Sequence, residues 1–171
     1  NDGAGALALS ATLESPDGLL PDLPILIWTV SNVDFDNDGD QDIYFTGDQQ
    51  NMLFVNDGTG QLSYVENTIS NDFVRGRGYT WADFNNDGFL DLITGDRNTE
   101  ALGMYLNDQS GGFEFLHITA LTNDYDGEDD VQFGRGYTSG DMNNDGWQDL
   151  VWTIEDRLIF SIMPVISLLT W

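Results

Sequence analysis

The chain has 171 residues, of which 40% are hydrophobic and 12% aromatic, and its formal net charge is −25. This length suits one domain with a real core, and the aromatic content excludes a disordered acidic tail. The five basic residues are all arginines, and a chain this acidic is not expected to bind nucleic acid or insert into a membrane. The absence of cysteine excludes disulfides and thiolate chemistry.

The first 27 residues predict a partial repeat followed by a linker. Residues 1–11, NDGAGALALSA, match a motif that returns as LFVNDGTGQLSYV at 53–65 and MYLNDQSGGFEFL at 104–116. We therefore expect a partial N-terminal blade at 1–12. Pro16, Pro21 and Pro24 predict a linker loop at 13–27, because proline is barred from central strands.

Three acidic nonapeptides organise the rest of the chain into repeats. They read DFDNDGDQD at 34–42, DFNNDGFLD at 83–91 and DMNNDGWQD at 141–149. Their surroundings predict blades at 28–70, 76–121 and 134–171, with an acidic insertion at 122–133. The last blade has a degenerate end, since no NDGTG turn follows RLIFSI at 157–162. The insertion carries NDYDGEDD at 123–130, which we interpret as a solvated loop because it lacks ligand spacing.

Each repeat predicts four short strands. In the second repeat these are YTWADF (79–84), FLDLITGD (89–96), GMYLND (103–108) and GFEFLHIT (112–119), whose apolar residues recur at period two. The joins are rich in Gly, Asn and Asp, as hairpins require. The predicted fold is all-β and β-propeller-like, with about three four-stranded antiparallel blades plus the partial N-terminal blade, in one repeat domain over 1–171.

The nonapeptide spacing predicts calcium sites. Side chains at positions 1, 3 and 5 can converge on one point, because glycine at position 6 allows a sharp turn. Position 7 offers its backbone carbonyl, and position 9 adds a carboxylate. Such hard oxygen ligands suit Ca²⁺. The predicted ligands of the three sites are Asp34, Asp36, Asp38, Asp40 (carbonyl) and Asp42; Asp83, Asn85, Asp87, Phe89 (carbonyl) and Asp91; and Asp141, Asn143, Asp145, Trp147 (carbonyl) and Asp149. The first site is expected to bind most tightly, because asparagine at position 3 of the others removes one charge.

The patterns xDFDNDGDxDI, LFxNDGTGxL and GRGYxxxD resemble the FG-GAP/VCBS-type repeats of extracellular bacterial proteins, which are related to the calcium-bearing blades of integrin α-subunit propellers. The resemblance covers nearly the whole chain. It implies that the acidic loop joins the first two strands of each blade and binds calcium. It also implies a secreted or surface-anchored protein that serves adhesion, polysaccharide handling or scaffolding.

Three functions remain open from the sequence. The first is a calcium-binding extracellular structural or adhesion module. The second is a self-assembling subunit of a ring or filament, in which a donated terminal strand joins copies head to tail. The third is a polysaccharide-binding or polysaccharide-processing domain. Partners are accordingly expected to be further copies, other repeats of a longer chain, or a glycan or protein ligand.

Catalysis is not expected. With one histidine and no lysine or cysteine, little is available for nucleophilic chemistry, and metal ligation accounts for most carboxylates. His117 is interpreted as part of a packed strand face, and Arg77 and Arg135 as partners of nearby carboxylates. Tryptophans recur near the loops and are expected to pack between blades; they are Trp28, Trp81, Trp147 and Trp152.

Overall fold

The computed structural model describes residues 26–47, 50–67, 69, 78–96, 101–118, 136–154 and 157–161. Within these residues, eleven strands form three antiparallel sheets, each ordered as along the chain. The first sheet contains β1 (Ile27–Val33), β2 (Asp42–Gly47), β3 (Met52–Asn56) and β4 (Leu62–Val65); the second contains β5 (Tyr79–Ala82), β6 (Asp91–Asp96), β7 (Ala101–Asn107) and β8 (Phe113–Ile118); the third contains β9 (Tyr137–Gly140), β10 (Asp149–Ile154) and β11 (Arg157–Ser161).

The all-β prediction is confirmed, and the first two sheets have the four antiparallel strands expected of a blade. Closure of the blades into a propeller and the predicted domain boundaries stay predictions. The partial blade at 1–12, the acidic insertion, Arg77 and Arg135 lie outside the described residues, as does the side chain of His117. No helix in the described part of the chain is long and apolar enough to cross a membrane.

A recurrent turn joins the third and fourth strands of the first two sheets. Asn56 pairs with Leu62, and Asn107 pairs with Phe113, where each hairpin begins. In the first turn the Asp57 carboxylate accepts hydrogen bonds from the Thr59 hydroxyl at 2.6 Å and the Thr59 N–H at 2.9 Å. These bonds lower the pKa of Asp57, the hydroxyl contributing most. The turn therefore favours an ionised aspartate.

The first and second sheets pack face to face through a buried apolar cluster. Tyr44 on β2 has its ring centroid 4.9 Å from that of Tyr79 and 5.3 Å from that of Trp81, both on β5, in edge-on geometry. Leu92 on β6 is fully buried in the same cluster. Aromatic edge contacts of this kind add to the stabilisation from buried area, so this junction is firmly held.

The opposite face of the second sheet packs against the third. Ile93, the neighbour of Leu92, joins Met104, Leu150 and Trp152 in a separate cluster. Successive residues of β6 thus face different sheets, as the period-two geometry of a strand requires. The expected packing of tryptophan between blades is confirmed for Trp81 and Trp152.

We expect Leu150→Ala to lower the free energy of unfolding by about 2–5 kcal/mol, because it opens a cavity between the second and third sheets. Leu150 is fully buried in that cluster. Val30, which is 66% exposed on β1, supplies the control, and Val30→Ala should change stability by less than about 0.5 kcal/mol. Urea unfolding followed by tryptophan fluorescence measures both, and equal small effects would contradict the packing of these two sheets.

Candidate calcium sites

The three acidic nonapeptides lie between the first and second strands of their sheets and share one backbone conformation. Position 4 is a left-handed asparagine and position 6 a glycine with positive φ in each loop. Their φ angles are 60° at Asn37, 59° at Asn86 and 61° at Asn144, then 94° at Gly39, 93° at Gly88 and 87° at Gly146. Asparagine and glycine are the residues that tolerate this region best, so the sequence itself specifies the curl of the loop.

Carboxylates at positions 1 and 5 close each loop by accepting backbone N–H groups. Position 1 accepts from the glycine at position 6, and position 5 accepts from the residue at position 7. The first bond measures 3.2 Å from Gly39 to Asp34, 2.9 Å from Gly88 to Asp83 and 2.9 Å from Gly146 to Asp141. The second measures 2.8 Å from Asp40 to Asp38, 2.9 Å from Phe89 to Asp87 and 2.9 Å from Trp147 to Asp145. Only the main chain of position 7 takes part in this closure, in keeping with its varied side chains.

Position 9 has a role that the sequence analysis missed. Asp42 is fully buried and accepts N–H groups from Phe35 at 3.3 Å and Asn56 at 2.8 Å. It therefore ties the acidic loop to the turn after β3. The signal for this role in the sequence is the repeated pairing of the nonapeptide with the downstream Asn-Asp motif, which by itself indicates only a repeat.

The same tie recurs in the second repeat and is incomplete in the third. Asp91 accepts N–H groups from Phe84 at 3.0 Å and Asn107 at 2.9 Å. Asp149 accepts one from Met142 at 2.9 Å, and its other oxygen, which is buried, has no partner among the described residues. In the first two repeats, the second N–H donor comes from the asparagine of the Asn-Asp motif, Asn56 or Asn107. This motif is the one predicted to be missing from the third repeat.

The first loop has the arrangement that best fits a cation. Carboxylate oxygens of Asp34, Asp36 and Asp42 lie within 4.8 Å of one another. Asp34 Oδ1 is buried and has no hydrogen-bond donor in the described part of the chain. Burial raises the pKa of Asp36, and the nearby charge of Asp38 raises it further; burial also raises the pKa of Asp42. A buried carboxylate oxygen without a donor, in a residue beside two more carboxylates, is an arrangement that a bound cation would stabilise.

The second loop satisfies the corresponding oxygens with its own N–H groups. Asp83 Oδ1 accepts from the backbone of Asp87 at 3.0 Å. Asn85 at position 3 accepts the same N–H at 3.0 Å and donates its amide to the Asp87 carboxylate at 2.9 Å. An amide here therefore relieves internally the repulsion that the first loop retains.

The third loop repeats this pattern. Asp145 N–H donates to Asp141 at 3.0 Å and to Asn143 at 2.9 Å, and the Asn143 amide donates to Asp145 at 2.9 Å. Amide and carboxylate oxygens keep further lone pairs, so the second and third ligand sets still suit Ca²⁺. Positions 1 to 8 of each nonapeptide lie in the loop and position 9 begins the second strand. Among the described residues, a cluster of three acids suited to a metal occurs in the first nonapeptide alone.

The sheets and loops together define a β-rich repeat protein with blade-like sheets and acidic loops between their first two strands. The family model of the FG-GAP-like repeat matches residues 34–94, from the first acidic loop to β6 of the second repeat. Residues 34–94 therefore belong to the FG-GAP-like repeat family. No curated protein matches the chain.

We expect the calcium-free protein to lose stability as the pH rises from about 4 to 7. Burial raises the pKa of Asp91 to about 6, so the folded state favours the protonated carboxyl. Its stabilising contribution is complete below the ordinary value of 3.8 and is lost as the pH rises through about 6. The carboxyls with lowered pKa, such as Asp57, titrate below this window.

Thermal unfolding of calcium-free wild type and Asp91→Asn across this pH range provides the measurement. The amide imitates the protonated carboxyl, so the variant should gain on the wild type as the pH rises. A stability difference that is constant from pH 4 to 7 would contradict the raised pKa.

Proposed function

We propose that this protein is a calcium-stabilised, β-propeller-like structural or adhesion module of an extracellular protein. The first loop would hold Ca²⁺ through Asp34, Asp36, Asp38, the Asp40 carbonyl and Asp42, and the second and third loops would bind more weakly through their equivalent ligands. Bound Ca²⁺ would supply the positive charge that these carboxylates need when they ionise together.

The orphaned Asp34 Oδ1 carries this proposal. Asp83 and Asp141, at the same position 1, each accept the N–H of the residue at position 5, whereas Asp34 Oδ1 is buried without a donor in the described part of the chain, and Asp34 lies beside the carboxylates of Asp36 and Asp42. At position 3 the first loop has Asp36 where the second has Asn85, whose amide lowers the repulsion between the carboxylates of that loop. The ordering of affinities expected from charge alone thus receives independent support from the hydrogen bonds.

A structural role fits the contact that the first loop makes with the loop of the next repeat. The Asn37 amide donates across to the carbonyl of Gly88 at 2.8 Å, so the first loop contacts the second directly. Ordering the first loop would therefore also strengthen the contact between two repeats. Because loop closure and strand tethering already engage these acids, we propose a structural function without catalysis.

An extracellular setting follows from the same chemistry. Extracellular calcium near millimolar concentration saturates even weak loops of this type. The net charge of −25 keeps such a surface soluble and attracts cations. The FG-GAP-like repeat and its resemblance to surface proteins support the same placement.

We expect Asp34→Asn to weaken the tightest calcium site at least tenfold, which is about 1.4 kcal/mol of binding free energy. The asparagine oxygen can still accept the Gly39 N–H, so the loop should remain closed. Asp40→Asn is the matched control, because it removes the same charge from the same loop but keeps the carbonyl that is the predicted ligand. Isothermal titration with Ca²⁺ measures both variants.

The melting temperature provides a second readout. An ion that binds only the folded state stabilises it by mass action, so calcium should raise the melting temperature of wild type and Asp40→Asn more than that of Asp34→Asn. Equal calcium affinity in the two variants would contradict the ligand assignment. Absence of any calcium binding to the wild type at millimolar concentration would overturn the proposed function itself.

A further inference from the structure

The contacts between successive loops follow one rule. Asn37 at position 4 of the first loop donates its side-chain amide to the carbonyl of Gly88, at position 6 of the second loop, at 2.8 Å. Asn86 in turn donates to the carbonyl of Gly146 in the third loop at 3.1 Å. Each loop thus reaches the next through the same pair of positions.

The aromatic side chain at position 2 is buried in the first and second loops. Phe35 is 2% exposed, its ring lies 6.1 Å from that of Phe113 at the start of β8, and its carbonyl accepts the Asn107 amide at 2.7 Å. Phe84 is 1% exposed in the cluster shared with the third sheet. In both internal junctions, the apolar side chain at position 2 is therefore buried in a cluster that includes residues of the following repeat.

The third loop presents the same two features, and neither has a partner among the described residues. Asn144 has the same left-handed conformation as Asn37 and Asn86, with φ of 61°, but its amide makes no hydrogen bond within the described residues. Met142, at position 2, is 43% exposed. We call Met142 and Asn144 the trailing face.

The first repeat carries the complementary groups. The Gly39 carbonyl corresponds to those of Gly88 and Gly146, and it accepts no amide among the described residues. The Asn56 amide donates to the Gln41 carbonyl at 3.2 Å, as Asn107 does to Leu90 at 3.3 Å. Within the described part of the chain, it makes no bond to a preceding loop of the kind that Asn107 makes to Phe35. Leu62 takes the place of Phe113 at the start of the fourth strand. We call Gly39, Asn56 and Leu62 the leading face.

We propose that the trailing face of one copy of this chain docks on the leading face of a second copy, continuing the internal junctions between copies. Asn144 of one copy donates to the Gly39 carbonyl of the next. The Asn56 amide of that next copy donates to the Met142 carbonyl, and Leu62 covers the methionine side chain. A second copy is the fitting occupant because the chain itself carries both halves of the contact, in the arrangement that its own repeats use twice.

The contact is heterologous, because two different surfaces meet. It differs from donation of a terminal strand, since each copy keeps all its strands and only loop and turn groups cross the interface. Calcium or salt should favour it, because acidic loops of two copies approach one another.

Sedimentation equilibrium of the full chain in millimolar calcium and physiological salt tests the proposal. We expect a molar mass that rises with protein concentration, and at least tenfold weaker association for Asn144→Gly. Glycine tolerates the same backbone conformation but lacks the donor, so the fold is retained. Asn86→Gly is the matched control, since it removes an internal bond and should lower the melting temperature while leaving association unchanged.

Mixing two variants tests the direction of the contact. Asn144→Gly damages the trailing face and Leu62→Gln the leading face, so each variant alone should be mostly monomeric, while a mixture should form dimers through the two intact faces. A wild type that stays monomeric at the highest soluble concentration would overturn the proposal. Association that Asn144→Gly leaves unchanged would overturn it equally, whether or not calcium binds.

Discussion

The buried carboxylate at position 9 of each acidic loop is the interaction on which the repeat depends. Asp42 and Asp91 each accept two backbone N–H groups, one from the loop and one from the turn after the third strand. Both residues are fully buried, so an apolar replacement would leave two N–H donors without an acceptor in the interior. This single side chain fixes the acidic loop against its own sheet, and the remaining features of the loop follow from that anchor.

The carboxylate at position 9 is stabilised by its N–H donors, but its burial disfavours the negative charge. Burial raises the pKa of Asp91 to about 6, although two N–H donors oppose the shift. The second and third loops ease the surrounding repulsion with asparagine at position 3, whereas the first loop keeps Asp36 there and leaves Asp34 Oδ1 without a donor. Asparagine at position 3 thus lowers the repulsion between carboxylates within the second and third loops, and the first loop, which has aspartate there, retains it.

The strands could be predicted closely from the sequence because their signals are local. The segments expected at 79–84 and 112–119 are observed as Tyr79–Ala82 and Phe113–Ile118, since period-two patterning and turn residues lie within each hairpin. The acidic loops could likewise be located from their spacing. The partners of position 9 could not, because they depend on which strands lie side by side. Nor could those of position 4, because Asn37 and Asn86 bond to residues 51 and 60 positions away.

Asparagine at position 4 is explained by two requirements, the left-handed conformation of the loop and the negative charge of the neighbouring loop. Asparagine and aspartate both tolerate the left-handed conformation found there, and aspartate is abundant in the surrounding sequence. An aspartate would bring a further negative charge against an acidic loop and would have no proton to give the glycine carbonyl. Asparagine supplies the conformation, a neutral side chain and the donor together. Neutral amides therefore make the contacts between loops whose carboxylates repel, and this allows acidic repeats to stack closely in a chain of such high negative charge.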